Sequence, residues 1–239
     1  MTGWLAKLAG DSWQLEQLGE LLDSSHLRVV KEYDGYYLRA AAFDGLTEAA
    51  AVHAEAQKLL PHINGAMRLH FGHITPIMTN TVAFVDEQGQ RLSTTVLGLV
   101  MTAGAGAVGI GRITVIGPDG VPLPPPPSDI QRWTSLAAYD DAAAHTLRLL
   151  SYEPDWSTLH KLLEVVEQDV GGEKELERKP WAHKAELKRF THTANSYIAL
   201  GDETRHAHHS KWEKPPNPMT FSEAELLIRQ TVTAWLNGK

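Results

Sequence analysis

The sequence predicts an α+β protein: an N-terminal mixed α+β domain with a mainly antiparallel sheet, then a C-terminal all-α helical bundle. Three observations carry this reading. The first half alternates strand-like runs with turn signals. The second half has helical periodicity almost throughout. Between them runs VPLPPPPS, with four consecutive prolines at 124–127. Prolines lack amide donors and favour an extended chain, so this stretch is expected to act as a semi-rigid spacer. The expected boundaries are 1–121 for the α+β domain, 122–128 for the linker and 129–239 for the bundle. The chain has 239 residues, of which 43% are hydrophobic and 21% charged, enough for a core of ordinary globular composition.

In the first half, Asp11 or Ser12 can cap a helix running to about Asp23, with Leu15, Leu18 and Leu22 on one stripe. LRVVKEY and YYLRAAAF flank Asp34-Gly35, a strong hairpin signal. Asp44 is expected to cap a helix on which Val52, Ala56, Leu59 and Ile63 share a face. Strand-like runs follow at Thr79–Val85, Leu92–Met101 and Ile110–Ile116, with turns at Gln88-Gly89 and Asp119-Gly120.

In the second half, Ser128 with Gln131 has the form of a capping box ahead of a helix carrying Trp133 and Leu136. Asp140–Leu150 continues helically. Asp155 caps the next helix, whose stripe is Leu159, Leu162, Leu163, Val166 and Val170 and whose end is Gly171-Gly172. A single helix is expected over about 181–200, carrying Leu187, Phe190, Ala194, Tyr197 and Ile198. A polar loop then leads to a capping box at Ser222 and Glu225 and a last helix burying Leu226, Leu227, Val232 and Trp235. Trp133, Trp156, Trp181 and Trp235 fall at helical positions and read as core.

Composition excludes several classes. Cysteine is absent, so there is no disulfide framework, thiolate metal site or cysteine nucleophile. No apolar run approaches 18 residues and the opening residues do not resemble a signal peptide, which points to a soluble cytoplasmic protein with no membrane partner. The net charge of −7 argues against a globally basic nucleic-acid binder. The charge is uneven, however. Lys174 to Lys214 holds nine Lys or Arg against six Asp or Glu, together with His183, His192, His206, His208 and His209. That stretch reads either as a solvated face with a loop or as a site for an anionic ligand.

Gly104-Ala-Gly106-Ala-Val-Gly109 has the GxGxxG form, but a dinucleotide site needs a helix directly after it. A strand-like run follows instead, so the glycines read as a hairpin or bulged crossing. His160 and Glu164, four apart, read as a surface pair beside the leucine stripe. Asp202–His209 sets three imidazoles beside two carboxylates, which reads as a metal-binding cluster or as structural histidines; no metal or cofactor is expected. The same segment has a phosphate reading. Arginine is a permanent planar donor, and histidine exchanges protons near neutrality. RNA cleavage needs no metal, because the 2′-hydroxyl attacks the adjacent phosphate while the protein positions the strand and stabilises charge. Arg189, His192 and Asn195, at i, i+3 and i+6, are expected to line the same cleft as Arg205.

LKRFTHTANSYIALGDETRHA and PPNPMTFSEAELLIRQTVTAWL, with the opening WQLEQLGELLDSSHLRVVKEYDGYYLRAAAF, resemble a group of bacterial proteins of unassigned activity. That group shares a TAN segment, a GDExRHA turn and a PMT-capped last helix. In layout the helical half is also similar, more weakly, to HEPN domains, bundles of four or five helices that are often RNases of toxin and antiviral systems. Their motif is an Arg, four to six residues, then a His. Here Arg205 and His209 have three residues between them, and Arg189 and His192 have two. The resemblance implies a nucleotide- or RNA-directed module, a defence or toxin effector cutting RNA without metal. Arg205 would bind phosphate, His209 or His206 would accept the proton, and His192 and Asn195 would assist. The alternative is a non-enzymatic ligand-sensing or protein-interaction module in which the Arg/His turn is structural. A homo-oligomer is compatible with either.

Overall fold

The structure, a computed structural model, describes residues 3–88, 90–97, 126–201 and 215–239. The chain divides into two units, Met1–Leu136 and Ala137–Lys239. The first contains an antiparallel sheet and the second is built of helices, as the sequence predicts.

In the first unit the strands are β1 (Gly3–Ala9), β2 (Leu27–Glu32), β3 (Gly35–Ala40), β4 (Met78–Val85) and β5 (Arg91–Val96), in the order β2-β3-β1-β4-β5. The Asp34-Gly35 hairpin forms as expected, with Glu32 opposite Gly35 and Val30 opposite Tyr37. β1 was not foreseen, yet it is the central strand, pairing with β3 on one side and β4 on the other. Its register against β4 shifts between Lys7 and Leu8. There the Thr79 hydroxyl donates to the Lys7 carbonyl at 2.7 Å, occupying an acceptor that the broken ladder leaves over. Asp11 caps α1 (Ser12–Leu21), its carboxylate accepting from the Gln14 amide. α1 packs on β2 and β3, and α2 (Ala49–Phe71) packs on β4 and β1. Leu18, Leu22, Leu38, Ile63, Met67 and Val82 are fully buried. The buried Asn64 amide ties α2 to the approach to β4, donating to the Ile77 carbonyl at 2.9 Å and accepting from its N–H at 2.8 Å.

The second unit contains α4 (Asp141–Leu150), α5 (Trp156–Val170), the short α6 (Glu173–Leu176), α7 (Lys184–Ala194), the short α8 (Tyr197–Leu200) and α9 (Phe221–Asn237). α5 is the hub, packing against α4, α6, α7 and α9. Asp140 and Asp155 cap α4 and α5. Gly171 ends α5 at φ 99° and ψ 18°, a left-handed conformation that only glycine adopts without strain. Trp156 stacks on Phe190 with centroids 6.1 Å apart. At the far end of α9, Trp235 Nε1 donates to Asp169 at 2.8 Å, and Lys239 Nζ reaches Asp169 at 2.8 Å and Asp140 at 2.5 Å.

Several expectations need correction. The chain divides after Leu136, beyond the proline run; α3 (Asp129–Leu136) packs on α2 and α1 and so belongs to the first unit. Asp44 is not a cap: α2 starts at Ala49 after Glu48, and Leu60 is buried where Leu59 was expected. The helix expected over 181–200 breaks at Asn195, because the Ser196 hydroxyl caps α8 instead of continuing α7. Tyr197 and Ile198 are accordingly exposed. The capping box of α9 is Thr220 with Glu223, two residues earlier than expected, and Leu226, expected in the core, is exposed. Trp133, Trp156 and Trp235 are core as expected, whereas Trp181 lies in a turn and is only half-buried. His160 is buried, not a surface residue, with its ring 6.2 Å from Phe190 and Nδ1 3.7 Å from Glu164. The GxGxxG run, the strand-like run 110–116 and the 119–120 turn lie outside the described residues.

Candidate functional site

Arg205, His206, His208 and His209 lie outside the described residues, so the structure places only Arg189 and His192 on α7 and Asn195 at its C-terminal cap.

Arg189 is committed to structure. Its Nε donates to the Asn217 carbonyl at 3.0 Å, and Nη1 donates to Glu186 at 3.1 Å. Nη2 donates to both Glu223 oxygens at 3.2 and 3.1 Å and to the Pro218 carbonyl at 3.3 Å. Glu223 closes the capping box at the start of α9, and the Thr220 amide and hydroxyl together with Arg189 hold its carboxyl below the ordinary range. One turn on from Arg189, the fully buried Thr193 hydroxyl accepts from the Met219 N–H at 3.0 Å and donates to the Arg189 carbonyl at 2.9 Å. This stretch of α7 therefore fastens residues 217–220 to the start of α9.

The three predicted residues do not share one cleft. His192 is exposed at the rim between two. With Arg189 and Lys188 it borders a cleft of about 290 Å³ closed by Pro215, Pro216 and Asn217. With Asn195 it borders another, of about 270 Å³, formed where α5, α6 and α7 meet. Leu176 and Leu187 supply the apolar surface of this second cleft, and Thr191, Glu167, Glu173 and Glu177 supply polar surface. Glu177 is neutralised by Lys184 at 2.5 Å and Lys188 at 3.3 Å. Glu167 is half-buried, and burial, with Glu173 and Glu164 adding repulsion, raises its carboxyl pKa above the ordinary value. The Asn195 Oδ1 is buried and has no hydrogen-bond partner. Among the described residues no group of three or more histidine and carboxylate side chains is arranged to hold a metal ion.

The strongest charge cluster lies in the first unit, and sequence reasoning missed it. Asp34 accepts a two-pronged pair from Arg91, both bonds 3.0 Å, and a bond from Lys7 Nζ at 3.0 Å. The fully buried Tyr37 donates its hydroxyl to the same carboxylate at 3.0 and 3.1 Å. The Arg91 guanidinium also lies 5.0 Å from the centre of the Tyr37 ring. Bonding to Arg91 first, then to Lys7 and Tyr37, holds the Asp34 carboxyl far below the carboxylate range. Burial, and then the bond to Asp34, push the Tyr37 hydroxyl up to about 12. Every polar group here has a partner, and Tyr37 belongs to a buried apolar cluster with Leu5, Ala83 and Val85. The network clamps β1, β3, β5 and the β2–β3 turn. The only sequence signal was the Asp-Gly hairpin; nothing local links Asp34 to Arg91, 57 residues away.

Among the described residues no helix is long and apolar enough to cross a membrane. Comparison with protein-family models, with curated proteins and with solved structures found no match.

Proposed function

We propose that the chain is a non-enzymatic binding module in which α7 both braces the C-terminal helix and lines the ligand cleft at the α5–α6–α7 junction. The observation that supports this is the state of Arg189. A phosphate-reading arginine needs its planar donor edge open to the ligand. Here Nε and both terminal nitrogens are engaged by two carboxylates and two carbonyls of the protein itself. His192 is left without an arginine of matching geometry in the cleft it shares with Asn195.

The test is an RNA-degradation assay on the purified chain alongside thermal melts. Wild type is expected to leave RNA intact at micromolar concentration, and Arg189→Ala and Arg205→Ala are expected to lower the melting temperature. RNA cleavage by wild type that disappears in Arg205→Ala, with the melting temperature unchanged, would replace this reading with the metal-independent nuclease.

A further inference from the structure

In the second unit one ammonium group is held by side chains from three helices. Lys239 Nζ donates to Asp140 Oδ2, just ahead of α4, at 2.5 Å and to Asp169 Oδ1, near the end of α5, at 2.8 Å. It also lies 4.9 Å from the centre of the Trp235 ring on α9. Each carboxylate is set by a bond that does not involve the lysine. Asp140 Oδ1 accepts from the Ala143 N–H at 2.9 Å as the cap of α4, and Asp169 Oδ2 accepts from Trp235 Nε1 at 2.8 Å. Trp235 is itself buried in the core. The host is therefore shaped by the helices and does not need its guest to form. The guest is held differently. Lys239 lies past the end of α9, and its backbone N–H makes a long bond to the Leu236 carbonyl, 3.4 Å. Its head group is what anchors it, with the side chain only 16% exposed.

The geometry selects the chemistry of the guest. Two acceptors from different helices converge on a single nitrogen, which suits the point charge of a primary ammonium. A guanidinium pairs best side-on with both oxygens of one carboxylate, and here the two oxygens that face the guest belong to different carboxylates. An anion is repelled by both. We propose that Asp140, Asp169 and Trp235 form a receptor for a primary alkylammonium group, occupied in cis by Lys239, and that a lysine side chain of another protein or a free polyamine takes the same place when Lys239 withdraws. The receptor shares no residue with the α5–α6–α7 cleft, so the inference goes beyond the binding-module reading and does not rest on it.

The experiment titrates the full chain at low salt, as wild type and as Lys239→Ala, with N-acetyl-lysine amide and, separately, with spermidine. The Trp235 indole N–H, identified by its absence from the NMR spectrum of Trp235→Phe, reports on the site directly. Lys239→Ala is expected to bind at least one of the two saturably. Wild type, whose own ammonium fills the place, is expected to bind about tenfold more weakly or not at all. Tighter binding of the lysine mimic points to a protein partner, and tighter binding of spermidine to a free polyamine. The bound ligand should also raise the melting temperature of Lys239→Ala and leave that of wild type unchanged. Adding Asp169→Asn to Lys239→Ala should abolish the response. Melting curves establish that each variant is folded, and Lys239→Met, which keeps the methylenes and drops the charge, repeats the test should Lys239→Ala not fold. A Lys239 variant that melts lower yet takes up neither ligand makes the contact a fixed ion pair and overturns the proposal. So does equal binding by wild type and variant, or tighter binding of N-acetyl-arginine amide than of either ligand. None of these results bears on RNA cleavage, so the receptor can fail while the non-enzymatic reading stands, and the reverse.

Discussion

Replacing Asp34 by asparagine keeps the side chain's size and removes the charge that Arg91, Lys7 and Tyr37 share. Charge-assisted bonds of this kind contribute about 1.5–3 kcal/mol each when buried. The Asp34 side chain is 26% exposed, so solvent screening places each near the lower end. Asparagine retains one acceptor oxygen but leaves the two-pronged Arg91 pair without its counter-charge. The expected loss is about 2–3 kcal/mol. Urea unfolding should show it as a lower midpoint at unchanged slope. The pH dependence is a second check. The folded-state carboxyl titrates far below its ordinary 3.8, so its contribution is complete above that value and is lost as pH falls toward the folded pKa. The gap between wild type and Asp34→Asn should therefore be full at pH 7 and narrower at pH 3. A loss under about 0.5 kcal/mol at pH 7, or a gap that does not change with pH, would refute the clamp, because an exposed pair contributes no more than that.

Glu167 carries the opposite sign. Burial raises its pKa above 4.5, so its ionised form costs stability once the pH passes the unfolded value. Glu167→Gln should melt higher than wild type at pH 7 and equal to it near pH 4; an equal or lower melting temperature at pH 7 would contradict the cause assigned to the shift. Phe190→Ala should cost about 3–5 kcal/mol in chemical denaturation, because the ring is fully buried between Trp156 and His160. Gly171→Ala should cost about 1 kcal/mol, because the left-handed C-cap admits a Cβ only with strain; an unchanged melting temperature would mean that the turn relaxes. Arg189→Ala should lower the melting temperature and increase proteolysis near residues 217–220, a change that limited digestion reads directly.

Elements whose signals are local were legible in the sequence. Asp155 caps its helix as expected, Asp11 is the cap of the two residues that could serve, and Asp34-Gly35 turns the hairpin. β1 was not legible because Trp4, Leu5 and Ala6 are buried in succession, so this central strand lacks the alternation that marks a half-buried one. The Ser222–Glu225 and Thr220–Glu223 pairs fit the same capping pattern, and only the packing of Met219 and the Arg189 contacts selects the earlier one. The same limit applies to the site. Helical spacing gave no warning that Arg189 would be claimed by residues 28 to 34 positions away.

The middle rung of the first unit's sheet comes from residues 3–9, yet its two neighbours are separated from it by very different lengths of chain: Lys7 meets Tyr37 on one side and Thr81 on the other. A nascent chain can close the first contact early, but it must hold the opposite edge of that rung bare until some seventy further residues have been added. Pairings that span so much chain form slowly. The interval of greatest vulnerability to edge-to-edge association thus falls before β4 emerges.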